Sequence, residues 1–300
     1  VTLTKDEKKQ LLATTVELVR NRVPVVLGVG GNNTAEVIES LNSFGMDGVD
    51  GILSVSPYYN KPTQEGIYQH FKAIAQASLR PIILYNVPGR TGSNMSAETT
   101  VRLAKDFRNV VAIKEASGNL DQMGMILKHK PKDFMLISGD DTLTLPTIAI
   151  GGVGVISVIG NALPAETSSL VHAALKGDLE TARREHLRLM EIINLLFVEG
   201  NPGGIKYVLK QRWNFGGEPF SLPISRATAS RIRPGLHAIT APNTCSRFSS
   251  RATGSLADSM SRRETRGRVC FISLQTVRFG RYVRSLHRSI ASSGRFLVVQ

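Results

Sequence analysis

Six short apolar runs alternate with segments of helical periodicity along the first 160 residues, and this alternation restricts the chain to one fold class. The runs lie at about 24–29, 49–54, 81–86, 110–114, 134–138 and 153–158. Continuous apolar character over such short stretches is typical of strands that are buried on both faces. Strands of this kind joined by helices are parallel, with right-handed crossovers. The sequence therefore predicts an α/β fold.

Capping signals mark where the intervening helices begin. Thr4 with Glu7 three residues later predicts a capping box and a helix reaching about Arg22. Later helices are predicted to start at Asn33 or Thr34, Thr63, Ser96 and Asn119. Three more helices are predicted at 164–176, 179–198 and 205–211, and they would form a helical region outside the strands.

The polar residues at the strand ends distinguish a barrel from an open sheet. They follow the carboxyl ends of different strands, at Tyr58, Tyr85, Lys114, Asp140 and Ser157. In a (β/α)8 TIM barrel, polar residues at the ends of many strands meet at one rim. A doubly wound sheet instead concentrates such residues at one switch point. The segment Gly28-Val29-Gly30-Gly31 lacks the third glycine of a dinucleotide-binding turn, so nucleotide binding there is not favoured.

Charge and composition divide the chain further. Residues 237–300 contain 11 Arg, no Lys and two acids, so they carry +9 of the net charge of +13. We expect a barrel over 1–160, a helical region over 161–236, and a basic tail over 237–300 that is disordered or non-native. No nucleic-acid-binding motif accompanies the arginines, so specific nucleic-acid binding is not expected.

Other functional classes are disfavoured by what the sequence lacks. No apolar run reaches the roughly 18 residues needed to cross a bilayer, and the opening segment does not resemble a signal peptide, so we expect a cytoplasmic protein. Cys245 and Cys270 are too few for a disulfide framework and are expected to be reduced. The histidines are scattered without ligand spacing, so no metal site is predicted.

Lys114 is the strongest candidate for chemistry. A lysine at the end of a buried strand is desolvated, which lowers its pKa and makes the neutral amine available to condense with a ketone. Tyr85 could relay protons beside it, and Arg90 could bind a carboxylate. The alternative is that Lys114 only forms an ion pair with Glu115 or another acid, and that Tyr85 and Arg90 are structural.

Five motifs taken together resemble the dihydrodipicolinate synthase family. They are SPYYNKP at 56–62, YNVPGRTG at 85–92, IKEASG at 113–118, SGDD at 138–141 and GVIS at 154–157. The resemblance covers about residues 1–235. It places the chain in the pyruvate-dependent aldolase superfamily, which also contains N-acetylneuraminate lyase. Asn60, the turn at 90–92 and the segment 115–117 favour the synthase over the lyase.

The resemblance implies a reaction and its participants. Lys114 would form a Schiff base with pyruvate, so no separate cofactor is needed, and Tyr85 would relay protons. Arg90 would bind the carboxylate of the second substrate, L-aspartate-4-semialdehyde, and the product would be 4-hydroxy-tetrahydrodipicolinate for lysine and diaminopimelate biosynthesis. Another pyruvate aldolase, acting on N-acetylneuraminate or a 2-keto-3-deoxy acid, stays open as an alternative.

The same resemblance implies a shared site and an assembly. Tyr59 would reach into the active site of a neighbouring subunit, and backbone groups of Gly139 and Ile156 would frame the Lys114 pocket. A dimer is therefore expected, doubled to a homotetramer. In lysine-inhibited relatives the inhibitor site would correspond to Asn32, Glu36 and Tyr58. Lys5 adds a cation where sensitive enzymes have histidine, so weak lysine sensitivity is expected.

The chain departs from the family pattern at both ends, since family chains usually end near the segment that matches 222–231, before the basic tail. Family members carry a Gly-Thr-Thr-Gly-Glu turn just before the segment that matches Val1-Thr2-Leu3-Thr4, and the first two barrel strands precede that turn. We therefore expect an N-terminally truncated barrel with six strands and open edges. A catalytically impaired homologue is a further alternative, because the threonine of the proton relay lies in the missing turn.

Overall fold

The computed structural model describes residues 3–213, single helical positions between 228 and 239, and the segments 272–277 and 295–299. The strands of this described part are β1 (Val25–Gly28), β2 (Gly51–Val55), β3 (Ile82–Asn86), β4 (Val110–Glu115), β5 (Met135–Ser138), β6 (Gly154–Val155), β7 (Ile272–Val277) and β8 (Arg295–Val299). The helices are α1 (Lys5–Val19), α2 (Thr34–Ser43), α3 (Gln64–Ala77), α4 (Pro88–Thr91), α5 (Ala97–Asp106), α6 (Leu120–His129), α7 (Thr144–Ala149), α8 (Pro164–Lys176), α9 (Leu179–Phe197) and α10 (Gly203–Trp213).

Strands β1 to β6 are parallel and lie side by side in chain order, which confirms the α/β prediction. All six predicted strands are present. The last is shorter than predicted, because the chain leaves the ladder after Val155 and enters a 3-10 helix at Ile159–Asn161. The curled sheet brings the carboxyl ends of all six strands to one rim.

Both faces of the sheet are buried, which explains the continuous apolar runs. One face forms the barrel interior, with Val26, Leu53, Ile83, Ala112, Met135, Ile137 and Ile156 packed together. The other face packs against the surrounding helices through side chains such as Ile52, Leu84, Ile113 and Leu136. Successive residues of a strand point to opposite faces, so neighbouring positions in one run belong to different cores.

The predicted caps are confirmed at Asn33, Thr63, Ser96 and Asn119, each of which accepts a hydrogen bond from a backbone N–H of its helix. The capping box of Thr4 is also present. Helix α1 ends at Val19, before the predicted end at about Arg22. The reason is that Arg20 takes a left-handed conformation with φ 49° while its N–H donates to the carbonyl of Val16.

The three later helices are present as α8, α9 and α10, and their buried faces form a separate apolar cluster. In that cluster Leu170, Leu189 and Ile193 pack with Ile205 and Val208. Helix α10 begins at Gly203, two residues before the predicted start. The cluster also contains Ile148 and Val155, so the helical region packs directly on the barrel.

The expectation of open edges is wrong. Strand β6 pairs with β7, β7 pairs with β8 in antiparallel fashion, and β8 pairs in parallel with β1, so the eight described strands form a closed barrel. Strands β7 and β8 come from the segment 237–300, so these two short parts of the predicted tail pair within the sheet. That the tail is disordered or non-native stays a prediction. The physical reason for the closure is that β1 and β6 would otherwise expose unpaired backbone groups. Cys245 and Cys270 lie outside the described residues.

Candidate active site

Three neighbouring strands end in polar residues at the same rim. The strand register sets Tyr85 beside Lys114 and Asn86 beside Glu115, while Glu115 pairs with Ser138 on the other side. Because alternate residues point to opposite faces, Tyr85 and Lys114 share one face and Asn86 and Glu115 share the other. The rim therefore separates a lysine–tyrosine pair from an amide–carboxylate pair.

The amine of Lys114 is enclosed. The residue is 5% exposed, and its Nζ lies 4.0 Å from the centre of the Tyr85 ring. The pKa of Lys114 falls to about 7, mainly because of burial; the charge of Asp141 acts to raise it, and the positive charge of Arg90 contributes to the lowering. A large share of the amine is therefore neutral, and nucleophilic, near neutral pH.

Glu115 does not pair with Lys114. Its side chain is fully buried on the opposite face and accepts hydrogen bonds from Asn86 Nδ2 (3.0 and 3.1 Å), the Ser117 N–H (2.7 Å) and Gln122 Nε2 (3.0 Å). Burial raises the pKa of Glu115, and these donors favour its charged form. The ion-pair alternative for Lys114 therefore does not describe the Glu115 side chain.

The Glu115 network was not predicted from the sequence, and it continues into the loop after β3. Asn86 also donates to Asn94 Oδ1 (2.8 Å) and accepts from the Met95 N–H (3.0 Å). Gln122 donates to the Met95 carbonyl as well (3.3 Å). The network ties the segment that follows the Arg90 turn to strands β3 and β4. The sequence signal was the adjacent Lys-Glu pair, whose members must face opposite sides of a strand.

Tyr85 is half-buried, and its ring lies against the amine of Lys114. Burial raises the pKa of its phenol, and the positive charge of Arg90 partly offsets this effect. The hydroxyl is therefore protonated at neutral pH and is able both to donate and to accept a hydrogen bond. This is the state that a proton relay requires.

Arg90 belongs to the short helix α4, which follows β3 directly. The helix ends at Gly92, whose φ of 71° is readily adopted by glycine. The Arg90 side chain is exposed, and its Nη2 donates to the carbonyl of Asn201 at 3.3 Å. A guanidinium has five N–H donors, so a carboxylate at the rim can be bound while this contact is kept.

Gly139 and Ile156 lie where the sequence places the pocket wall. A Cβ added to Gly139 would lie 2.7 Å from the Cβ of Ala116 and 3.1 Å from the Cγ of Lys114. The Ile156 N–H donates to the carbonyl of Ser138 (2.9 Å), and its side chain is buried in the barrel interior. The Gly139 backbone therefore lies close to the Lys114 side chain, and Ile156 lies at the end of β6, beside β5.

Tyr59 lies at the surface of the single chain. Its side chain is 86% exposed, and its N–H donates to the carbonyl of Thr91 at 3.3 Å. Tyr59 and Lys61 both have positive φ, at 71° and 46°. Non-glycine residues in this conformation are uncommon and occur where the surrounding structure requires them. The loop thus presents the Tyr59 ring outward.

Two of the three predicted inhibitor-site residues, Asn32 and Glu36, lie at the start of α2, and Tyr58 lies in the loop between β2 and α3, 39% exposed. The Asn60 side chain donates to the carbonyl of Asn32 (3.4 Å), and Glu36 accepts from the Asn33 side chain (3.1 Å). Lys5 pairs with Glu39, one turn beyond Glu36 on α2, at 3.4 Å between exposed side chains. Residues three apart lie on the same face of a helix, so the Lys5 cation lies beside the face of α2 that also carries Glu36.

Asp141 received no predicted role, although it is part of the SGDD motif. The residue is 4% exposed, and its Oδ2 accepts hydrogen bonds from the N–H groups of Val158 (2.9 Å) and Ile159 (3.0 Å). It thereby joins the loop after β5 to the loop after β6. Only the three-dimensional structure reveals this link, because the partners are 17 and 18 residues away.

Other types of site find no support in the part of the chain that the structure describes. No group of three His, Cys, Asp or Glu residues there could hold a metal ion. None of the described helices combines the length and apolar character needed to cross a membrane. Gly30 approaches Val55 so closely that a Cβ would lie 2.9 Å from its backbone nitrogen, which gives this glycine a packing role.

The segments that carry Lys114, Tyr85 and Arg90 lie within the match to a known family. The profile of the Dihydrodipicolinate synthetase family matches residues 1–238 of the chain. The chain belongs to this family. Membership agrees with the resemblance carried by the five motifs, and with the barrel described above.

Individual relatives are similar over most of the chain. It is 59% identical over 208 residues to a 4-hydroxy-tetrahydrodipicolinate synthase of Parabacteroides distasonis, covering 69% of this chain and 70% of the relative. It is 54% identical over 238 residues to the enzyme of that name from Azobacteroides pseudotrichonymphae, covering 78% and 80%. The crystal structure of the dihydrodipicolinate synthase of Thermotoga maritima superposes with a TM-score of 0.77 at 38% identity, covering 79% of this chain and 82% of that one.

Proposed function

We propose that this chain condenses pyruvate with L-aspartate-4-semialdehyde to give 4-hydroxy-tetrahydrodipicolinate. The observation that carries the proposal is Lys114, a buried amine at a strand end whose pKa falls to about 7. The choice of substrates is supported by the family and by relatives named 4-hydroxy-tetrahydrodipicolinate synthase. No external cofactor is required, because the lysine nitrogen itself acts as the electron sink.

The chemistry begins with attack of the neutral Lys114 nitrogen on the keto carbon of pyruvate. The keto oxygen leaves as water, and the nitrogen keeps one hydrogen and a positive charge. Loss of a proton from the pyruvate methyl group gives an enamine, whose carbon attacks the aldehyde of the second substrate. The amino group of that substrate then attacks the former keto carbon, which closes the ring and releases Lys114.

Tyr85 and Arg90 complete the proposed site. The protonated phenol of Tyr85, whose ring centre lies 4.0 Å from Nζ, is suitably placed to give and take protons during dehydration and enamine formation. Arg90 lies at the exposed mouth, where its guanidinium can bind the carboxylate of the aldehyde substrate. Gly139 and Ile156 frame the bound pyruvate through their backbones.

The proposed active site is completed by a second copy of the chain. Tyr59 is exposed and presented outward by a constrained loop, so we infer that it enters the relay of a partner subunit in a dimer, which doubles to a tetramer. A lysine inhibitor site over Asn32, Glu36 and Tyr58 would lie at that interface. Lys5 would repel the cationic inhibitor, so weak inhibition is expected.

Trapping of the Schiff base tests the proposal directly. The chain is incubated with pyruvate, reduced with borohydride and weighed. A covalent adduct of about 72 Da, the mass of reduced pyruvate on an amine, is expected on the wild type and absent in Lys114→Ala. Lys105→Ala, which removes an exposed lysine on α5, is the matched control and keeps the adduct.

Substrate choice is tested separately by turnover. Consumption of L-aspartate-4-semialdehyde in the presence of pyruvate is measured beside cleavage of N-acetylneuraminate and of 2-keto-3-deoxy acids. The proposal predicts turnover of pyruvate with L-aspartate-4-semialdehyde, and no cleavage of N-acetylneuraminate or of 2-keto-3-deoxy acids. Absence of an adduct on a folded sample refutes the Schiff-base chemistry, and turnover of only a sugar acid refutes the proposed substrate.

A further inference from the structure

The loop that carries Arg90 leaves β3 and returns to it. This rim loop, residues 87–94, contains α4 and ends where Met95 enters the core with 0% of its surface exposed. Inside the loop the Thr91 hydroxyl donates to the carbonyl of Ser93 at 2.7 Å. The rim loop is thus braced internally, and its position on the barrel depends on how its two ends are held.

The side chain of Asn86 holds both ends of the rim loop. Asn86 is the last residue of β3, and its side chain is fully buried. Its Oδ1 accepts from the Met95 N–H (3.0 Å), and its Nδ2 donates to Asn94 Oδ1 (2.8 Å). Because the rim loop begins directly after Asn86 in the chain, these two bonds close the loop at its base.

Gln122 of α6 connects the far end of the rim loop to the Glu115 carboxylate. Its Nε2 donates to Glu115 Oε2 (3.0 Å) and to the Met95 carbonyl (3.3 Å), and its Oε1 accepts from Asn94 Nδ2 (2.7 Å). The same carboxylate accepts from Asn86 Nδ2. Each of the three amide side chains therefore has partners for both its oxygen and its nitrogen, and such a network is rigid.

The rim loop also supports the loop that carries Tyr59. The Thr91 carbonyl accepts the Tyr59 N–H at 3.3 Å. Gly92 lies against the Lys61 side chain, since a Cβ added to Gly92 would lie 3.1 Å from the Lys61 Cε. The position of the rim loop therefore bears on two side chains of the proposed site, Arg90 and Tyr59.

The network lies on the other side of the sheet from the amine. Asn86 and Glu115 are paired in register on the outer face, whereas Tyr85 packs with the apolar cluster of the barrel interior. Lys114 shares the interior face, because alternate residues of a strand point to opposite sides. A change in the network can therefore move the rim loop while the amine keeps its place.

The inference rests on the proposed function and deepens it. We propose that Gln122, acting through Asn86 and the rim loop, is a positioning residue that holds Arg90 where it binds the carboxylate of the second substrate. A guanidinium binds a carboxylate through two parallel hydrogen bonds only in a narrow range of orientations. A small displacement of the rim loop therefore weakens binding of the aldehyde substrate, whereas capture of pyruvate by Lys114 does not involve this loop.

Gln122→Met tests the proposal because it keeps the length of the side chain and removes its hydrogen bonds. KM for L-aspartate-4-semialdehyde should rise about five- to tenfold, while the initial rate of pyruvate trapping by borohydride stays within about twofold of the wild type. Gln69→Met is the matched control, since Gln69 is exposed on α3 and donates to Glu65 of the same helix, and it should leave both quantities unchanged. Equal losses in both assays for Gln122→Met would show a general structural defect and would overturn the proposal.

A double-variant cycle shows whether Gln122 acts through Arg90. On the Arg90→Gln background, adding Gln122→Met should change kcat/KM for the semialdehyde by less than about twofold, because no guanidinium is left to position. An effect as large as that in the wild-type background would contradict the proposal.

A second variant keeps the test open to both outcomes. If Gln122→Met does not fold, Asn94→Ala, at the exposed end of the network, is measured in the same assays and the same cycle, with the same expected and contrary results. A wild type that traps no pyruvate, or that does not turn over the semialdehyde, would instead refute the proposed function on which the inference rests.

Discussion

Gly139→Ala is expected to displace the reactive lysine by simple steric overlap. The added Cβ would lie 2.7 Å from the Ala116 Cβ and 3.1 Å from the Lys114 Cγ. Carbon atoms in ordinary contact are about 3.5 to 4.0 Å apart, so the shorter contact is too close by about 0.8 Å. The Ala116 Cβ cannot rotate away, and the strain must move either the backbone or the Lys114 side chain.

The magnitude follows from what overpacking does in a buried site. A loss of about 1–3 kcal/mol in the free energy of unfolding is expected for Gly139→Ala. Pyruvate trapping should slow by about 10- to 100-fold, since misplacement of a reacting group by about 1 Å has effects of that size. Denaturant unfolding measures the first quantity, and the initial rate of borohydride trapping measures the second.

A double variant identifies the responsible contact. Ala116→Gly removes the closest atom, so Gly139→Ala combined with Ala116→Gly should recover at least about 1 kcal/mol relative to the sum of the single effects. Gly124→Ala, on α6, is the control because a Cβ there meets nothing within 4 Å, and it should stabilise the protein by about 0.5–1 kcal/mol. If Gly139→Ala unfolds with the same denaturant midpoint as the wild type, the steric argument is refuted.

Three further perturbations probe the same rim. Glu115→Gln should lower the free energy of unfolding by about 1–3 kcal/mol, because an amide N–H2 would face donors that now bind a carboxylate; unchanged denaturant unfolding would contradict this. The unfolded chain binds more protons than the folded one between the folded pKa of Lys114, about 7, and its ordinary value of 10.5, so stability should rise with pH in that window. Unfolding at pH 7 and pH 9 should show a gain of about 2 kcal/mol that Lys114→Met lacks, and an equal gain in both proteins would exclude the buried amine as its source. Arg90→Gln should leave pyruvate trapping within about twofold while raising KM for aspartate semialdehyde at least about tenfold, and an equal loss in both assays would assign Arg90 a structural role.

Strand and helix positions followed from local signals. The strands at 82–86 and 110–115 begin with uninterrupted apolar runs, 82–84 and 110–113, because both faces of the sheet are covered. Such a run can be recognised from residues that are adjacent in the sequence. Thr63 and Asn119 marked helix starts because a cap hydrogen bond joins residues three apart. The end of α1 was missed because the left-handed turn at Arg20 has no glycine to signal it.

The site was predictable in part. Lys114, Tyr85 and Arg90 were recognised because the chain places them at consecutive strand ends, and the structure brings the amine and the phenol together. The Glu115 network was missed because its members come from three separate elements. Asp141 stood in a recognised motif, yet its partners on the loop after β6 could not be read from spacing.

The sequence by itself determined the fold class, the order of the parallel strands and the identity of the buried amine, because burial patterns and caps depend on residues close along the chain. Only the tertiary structure decided how the barrel closes, with β7 and β8 pairing between β6 and β1. It also decided the chemical state of Lys114. Desolvation and the opposing charges of Arg90 and Asp141 act through space, and no spacing in the sequence specifies their balance.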